Sequence, residues 1–426
     1  MFSVAREIIE LIVKAQNQKD FLETLFGEYK QSILDGAPLI LFGAGALGKD
    51  MLIALADNNI KPICFCDNED SKWGSMINGI PVISPQELYK NYSDAYVVLT
   101  VLDASKIVMQ QLLRENFESN KIFRKDNDLD SDIIVMYVMS KAMLGTQPKF
   151  VNQKYLDGQT DLDKIIELEA IVEKAYECFD DSKSKELFIT KLALLGSEIH
   201  FSLFKRFMLL FSEAIHRFGI LNYKGTPEDY LYFHSDTFQV QPNEVYIDVG
   251  AYDGDTIETF VQACNEISVK YQHIYALEPD QECFDRLVVN TKSYDSISLF
   301  KLGMWSESTS ISFVESHESA HDQAAQISKD SETGASIDVV SLDDFCLDKA
   351  PTLIKMDPPG NIINEIIKGG SQTIKKYKPK LALGSYHSLD EFVEVPIMLK
   401  QLCPDYKLVL RHNTYHLCDT DLYAYV

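Results

Sequence analysis

Two kinds of apolar spacing alternate along this chain. Short unbroken apolar runs, such as Ile40-Leu41-Phe42, the segment 95–101 and Val245-Tyr246-Ile247, read as buried strands. Between them apolar residues recur at three- and four-residue steps, as at Ile257, Phe260 and Val261, and read as helices packed on one face. Residues 1–36 look helical and stop at Asp35-Gly36-Ala37-Pro38. Strands and helices alternate over 37–125, a mostly helical segment covers 126–240, and the alternation resumes over 241–426. In that last region strands are expected at 245–247, 271–278, 297–305, 352–356, 378–387, 406–412 and 419–426. The pattern predicts an α/β protein: two Rossmann-like parallel-sheet domains joined by a helical segment.

Each α/β region opens on a glycine turn between a strand and a helix. In the first, Gly43, Gly45 and Gly48 form G-x-G-x-x-G. The second strand there ends at Asp67, about 20 residues onward, where a dinucleotide-binding unit places its ribose-binding acid. These four residues are candidate nucleotide contacts. In the second, the strand ends at Asp248, and Gly250 and Gly254 frame a turn that also carries Asp253. Glycines let a backbone approach a ligand that a Cβ would repel. The surplus carboxylates suit a cationic or hydroxyl-bearing ligand better than a bare pyrophosphate.

Further acids and histidines fall where later strands end: Glu278 before Pro279, Asp357, His387 and His412. In a doubly wound sheet those ends line one crevice, so a titratable cluster there is a candidate active site. Glu278 offers an acceptor pair to a ribose diol. Trp305 either shields a planar ring or is core.

Composition narrows the partners. At 426 residues two or three domains are expected, and 46% hydrophobic residues suffice for sizeable cores. The formal net charge of −24, from 40 Lys and Arg against 64 Asp and Glu, disfavours nucleic acid and anionic lipid. The eight cysteines are scattered and contain no Cys-x-x-Cys, so neither a zinc site nor any other metal site is expected from them. No apolar run approaches the roughly 20 residues of a membrane span. The first residues form an amphipathic helix, not a signal peptide, and the expected location is the cytoplasm.

Two resemblances follow from these motifs. Residues 38–117, with their glycine loop, Cys-Asp-Asn strand end and Asn-Gly-Ile-Pro-Val stretch, resemble the nucleotide-sugar-binding domain of bacterial sugar O-acyltransferases. The other reading of that domain is a docking or dimerisation module, which leaves a homo-oligomer open. From about 240, the order IDVGAYDGDT, ALEPD, VVSLDDF, LIKMD, KPKLALGSYH and YKLVLRHN resembles the FkbM family of methyltransferases. That resemblance implies a seven-strand methyltransferase sheet and S-adenosyl-L-methionine as cofactor. It implies Asp248, Gly250 and Gly254 at the methionine end and Glu278 at the ribose, with Tyr252, Asp253 and Pro279 as further cofactor-binding residues. The family typically methylates hydroxyls, often on sugars, so a glycan or small-molecule acceptor is expected.

A hydroxyl must lose its proton as it attacks the methyl carbon, which asks for a base. Asp357, His387 and His412 are the candidates, since an ordinary histidine already titrates near neutrality. One departure stands out. The family continues the strand ending at Asp357 as Asp-aliphatic-Glu-Gly, whereas this chain reads Asp357-Pro358-Pro359-Gly360-Asn361 and lacks the following acids. Three alternatives arise: a cofactor-binding scaffold without turnover, an amino-methyltransferase using Asp-Pro-Pro, and a nicotinamide enzyme using Gly43–Gly48. The last lacks a Tyr-x-x-x-Lys pair in its first domain.

Overall fold

The computed structural model describes residues 3–16, 20–102, 104–124, 128–146, 166–195, 200–218, 232–233, 237–314, 326–327, 335–358, 360–412 and 420–426. The chain divides into two compact units. One comprises Ile9–Lys149 and Ser197–Tyr223; the other comprises Met1–Ile8, Phe150–Gly196 and Lys224–Val426.

The first unit holds strands β1 (Leu39–Phe42), β2 (Cys64–Cys66), β3 (Met76–Ile77), β4 (Ile80–Ile83), β5 (Tyr96–Leu99) and β6 (Ile122–Phe123). They form one sheet in the order β3-β4-β2-β1-β5-β6, parallel except for β3. Every residue of β1 and β2 is buried, as expected of parallel strands covered on both faces. Ile40, Phe42, Cys64, Cys66, Val97 and Leu99 make the shared core.

In the second unit a seven-stranded sheet is built from β7 (Val245–Val249), β8 (His273–Leu277), β9 (Ile297–Phe300), β14 (Leu353–Met356), β15 (Lys380–Leu383), β16 (Lys407–His412) and β17 (Thr420–Tyr425). Between β9 and β14 the chain makes a separate four-stranded sheet from β10 (Gly303–Trp305), β11 (Thr309–Val314), β12 (Gln326–Ile327) and β13 (Ala335–Ser341). The larger sheet has the order β16-β17-β15-β14-β7-β8-β9, with only β17 antiparallel to its neighbours. The chain thus winds outward from β7 through β8 to β9, then returns to lay β14 on the other side of β7. That reversal opens a crevice at the carboxyl ends of β7 and β14. Beneath it, Tyr246 stacks on Phe260 of the following helix at 4.5 Å between ring centroids.

One expected element divides. The run 297–305 is not a single strand: β9 ends at Phe300 in the large sheet, and β10 begins at Gly303 in the small one. Gly303 allows this close pairing, because a Cβ there would lie 3.0 Å from the Val339 side chain on β13. Trp305 is buried, and its carbonyl packs against Gly369.

Candidate active site

The turn after β7 starts from an acid that is wholly enclosed. Asp248 has no exposed surface; its Oδ2 accepts from the Thr256 hydroxyl at 2.6 Å, and its Oδ1 lies 3.2 Å from Lys355 Nζ. Lys355 stands beside Asp248 in the register of β14 against β7, and also donates to the Gly250 carbonyl at 2.7 Å. A buried ammonium therefore ties the floor of the turn to its backbone. Asp255, half-buried in the first turn of the next helix, is pushed up to about 6 by burial, against the pull of Lys355.

Gly250 and Gly254 are both needed as glycines. Their φ angles are +75° and +95°, the left-handed region that side chains disfavour. At Gly250 a Cβ would also stand 2.7 Å from the Asp357 carbonyl and 2.9 Å from Pro358 Cα. This turn thus lies directly against the end of β14. Tyr252 shares the positive φ, at +49°, and is largely exposed with Arg286 over its ring at 5.2 Å. Asp253 is half-buried, and its carbonyl accepts from Asn290.

At the end of β8, Glu278 accepts from the backbone N–H groups of Tyr252 and Asp280, each at 2.9 Å. It is 7% exposed, and burial pushes its carboxyl up to about 7 despite those two bonds. Pro279 follows and lines a cleft together with Gly250, Leu277, Met304, Pro358 and Ile362. The walls are mostly apolar, which suits the flat face of a base.

Asp357 forms the second centre. Its carboxylate accepts from the Tyr232 hydroxyl at 2.7 Å and from the Tyr386 hydroxyl at 3.2 Å, and His387 Nε2 lies 3.2 Å away. Burial alone would raise it. The His387 hydrogen bond, the Lys355 charge and the Tyr232 hydroxyl outweigh that and hold it below the usual carboxylate range. Gly384 makes the arrangement possible, since a Cβ there would lie 2.1 Å from Asp357 Oδ1.

Of the sequence-derived candidates, then, Asp248, Gly250, Tyr252, Asp253, Gly254, Glu278 and Pro279 gather around one turn, and Asp357 with His387 abut it. His412 stands apart: it ends β16, two strands from β15, and bonds Thr420 across the pair at 3.0 Å. Lys355, Tyr232 and Glu391 were not singled out from the sequence. Tyr232 lies 125 residues from its partner Asp357 and outside any motif, so no sequence signal marks it.

In the first unit Gly43 has a φ of +122°, and a Cβ there would meet the Thr100 carbonyl at 2.5 Å. A Cβ on Gly48 would meet the Gly43 carbonyl at 2.1 Å, whereas Gly45 faces open space. Asp67 bonds the Ala44 N–H at 2.7 Å, the Glu69 N–H at 2.9 Å and Lys72 at 3.2 Å. Its carboxylate ties the glycine turn to the end of β2, with Trp73 Nε1 on its carbonyl at 2.7 Å.

The seven-stranded sheet is that of a methyltransferase fold. More narrowly, residues 248–417 match the methyltransferase FkbM domain, so the carboxy-terminal half carries an FkbM methyltransferase domain and the chain is a methyltransferase. Residues 37–123 match a model described as C2185-like, N-terminal. Among solved structures, methyltransferase FkbM from Methylobacillus flagellatus is similar at 19% identity and TM-score 0.52, covering 98% of this chain and 99% of that one. Aeropyrum pernix fibrillarin with bound S-adenosyl-L-methionine is similar at 9% identity and TM-score 0.27, covering 44% of this chain and 69% of its own. Comparison with curated proteins gave no match. No helix among the described residues is long and apolar enough to cross a membrane.

Proposed function

We propose that this methyltransferase uses S-adenosyl-L-methionine to methylate a hydroxyl of a sugar-containing acceptor. The observation that carries the reading is the contact between the two centres: the Gly250 turn packs on the backbone of Asp357, whose carboxylate faces His387. The residues fit the cofactor. The Gly250 turn borders the cleft, Glu278 can accept a ribose diol, and the cleft beside Pro279 is mostly apolar. Asp248, Asp253 and Asp255 give the turn a negative field suited to a cationic amino acid. Bound there, the cofactor supplies an electrophilic methyl group on a sulfonium. Asp357 orients His387, which takes the proton of the attacking hydroxyl.

Calorimetry with S-adenosylhomocysteine tests the cofactor assignment directly. Micromolar binding is expected, with at least a tenfold loss in Asp248→Ala. Absence of binding to the parent chain would overturn the assignment. Activity retained in His387→Ala would remove the base while leaving the cofactor site intact.

The first unit is read as a nucleotide or nucleotide-sugar site at Gly43, Gly45, Gly48 and Asp67, which would present a sugar donor or acceptor. What supports this is the open approach at Gly45 between two tightly packed glycines. Titration with uridine diphosphate sugars tests it.

A further inference from the structure

We propose that Tyr232 is a positioning residue: its hydroxyl, by holding one oxygen of Asp357, aims the other at the His387 ring. The role rests on the reading of His387 as the base; the geometry does not. Asp357 Oδ2 accepts from the Tyr232 hydroxyl at 2.7 Å, whereas Oδ1 lies 3.2 Å from His387 Nε2. The Tyr386 hydroxyl lies 3.2 Å from Oδ1 and 3.4 Å from Oδ2, so it does not tell the two apart. The terminal torsion of an aspartate is broad and two-fold. A donor committed to one oxygen fixes which edge of the carboxylate faces the imidazole. Tyr232 is such a donor, and its bond is the shortest of the four.

Tyr232 is itself held from outside the site. Its φ of +71° is left-handed backbone, unfavourable for a bulky side chain, so the surrounding packing must impose it. Part of that packing falls on the next residue. The Phe233 ring lies 5.5 Å from Phe260 and 5.9 Å from Tyr246, between centroids, in the core beneath the crevice. The Tyr232 ring is buried, with the Lys355 ammonium over its face at 5.6 Å from the centroid. Lys355 is in turn fixed by Asp248 and the Gly250 carbonyl. Packing on β7, the Lys355 ammonium and Asp357 thus hold this part of the chain at three points.

The direction of the bond is settled as well. Burial raises the Tyr232 phenol well above its ordinary value, and the charges of Asp357 and Asp421 raise it further, while Asp357 is held low. The phenol therefore donates and the carboxylate accepts throughout the range in which a histidine titrates. The other ionisable groups around the pair are Tyr386 and His387, side by side after β15 with rings 4.4 Å apart, Lys355 on β14, Asp421 on β17 and Glu391 on the helix Leu389–Leu402. Tyr232 precedes residues 248–417, the part that matches the methyltransferase domain. The partner of this carboxylate comes from the segment ahead of that domain.

The test is the titration of His387, followed by NMR on the full-length chain labelled at histidine, without cofactor. Its signal is identified by its loss in His387→Asn. Removing the hydroxyl in Y232F leaves the ring but frees the Asp357 torsion, so Oδ1 spends less time at the imidazole. The proton affinity of His387 should then fall about threefold, half a pH unit. A hydroxyl that only drew charge from the carboxylate would act in the opposite sense, since its loss strengthens Asp357 as a partner. An unmoved or raised titration in folded Y232F therefore overturns the proposal. Should Y232F not fold, exchange of the Tyr232 hydroxyl proton in the wild type decides. Protection from water supports the proposal, and exchange as fast as that of an exposed phenol overturns it. Failure of S-adenosylhomocysteine binding to the parent, or methyl transfer retained in His387→Ala, would strike the proposed function and leave the titration contrast standing.

Discussion

Single residues carry most of the geometry. Gly250 combines a φ of +75° with a would-be Cβ 2.7 Å from the Asp357 carbonyl, so a side chain there strains the turn and displaces the end of β14 at once. Gly250→Ala is expected to weaken S-adenosylhomocysteine binding at least tenfold and to lower the melting temperature. Calorimetry at the parent's affinity would speak against the site. Titration gives a second expectation. Glu278 and Glu391 are both raised by burial from the ordinary 4.5 to about 7, so the folded chain binds their protons more tightly than the unfolded one. Their contribution to stability is complete below about pH 4.5 and is lost as pH rises through 7, up to about 3 kcal/mol each. The cofactor-free protein should therefore melt at lower temperature at pH 8 than at pH 5.5, less steeply in E391Q. A flat difference between parent and variant would contradict this.

At the scale of elements, β14 is the member that joins the two centres. Lys355 reaches sideways to Asp248 and the Gly250 carbonyl, while Asp357 follows the same strand two residues later. Lys355→Met leaves the buried Asp248 with the Thr256 hydroxyl but no cation, a loss of about 3–5 kcal/mol. Adding Asp248→Leu should restore much of that stability but not cofactor binding. Urea midpoints for the single and double variants decide it, and equal midpoints would show the pair to be unimportant. The elements themselves were largely legible, because buried parallel strands read as unbroken apolar runs. The exception was 297–305, where only the exposed Lys301 interrupts the apolar residues and the backbone changes sheets between Phe300 and Gly303. A run of apolar residues says that a segment is buried, not which sheet it joins.

Across the molecule, two α/β units each bear a glycine turn, but the turns use their acids differently. Asp67 is bound by the Ala44 and Glu69 amides and Lys72, whereas Asp248 faces a buried lysine across a strand pair. Asp67→Ala is expected to disorder the first turn and reduce nucleotide-sugar affinity while leaving S-adenosylhomocysteine affinity within twofold. A matched loss of both in a calorimetric pair would refute separate sites. The −24 net charge further predicts no measurable affinity for duplex DNA at physiological salt, checked by electrophoretic shift.

The sequence by itself determined the α/β class, the positions of both glycine turns and the strand-end acids. These depend on local rules: apolar periodicity sets strands and helices, and a tight turn beside a ligand demands glycine. Which acids face one another was decided only by the tertiary structure. Asp357 meets Tyr232 from 125 residues away, Glu391 reaches from a later helix to the Ile363 N–H, and His412 is carried two strands from β15 by the antiparallel return of β17. Side-chain pairing of this kind depends on strand order and register, and neither is encoded in the spacing along a single segment.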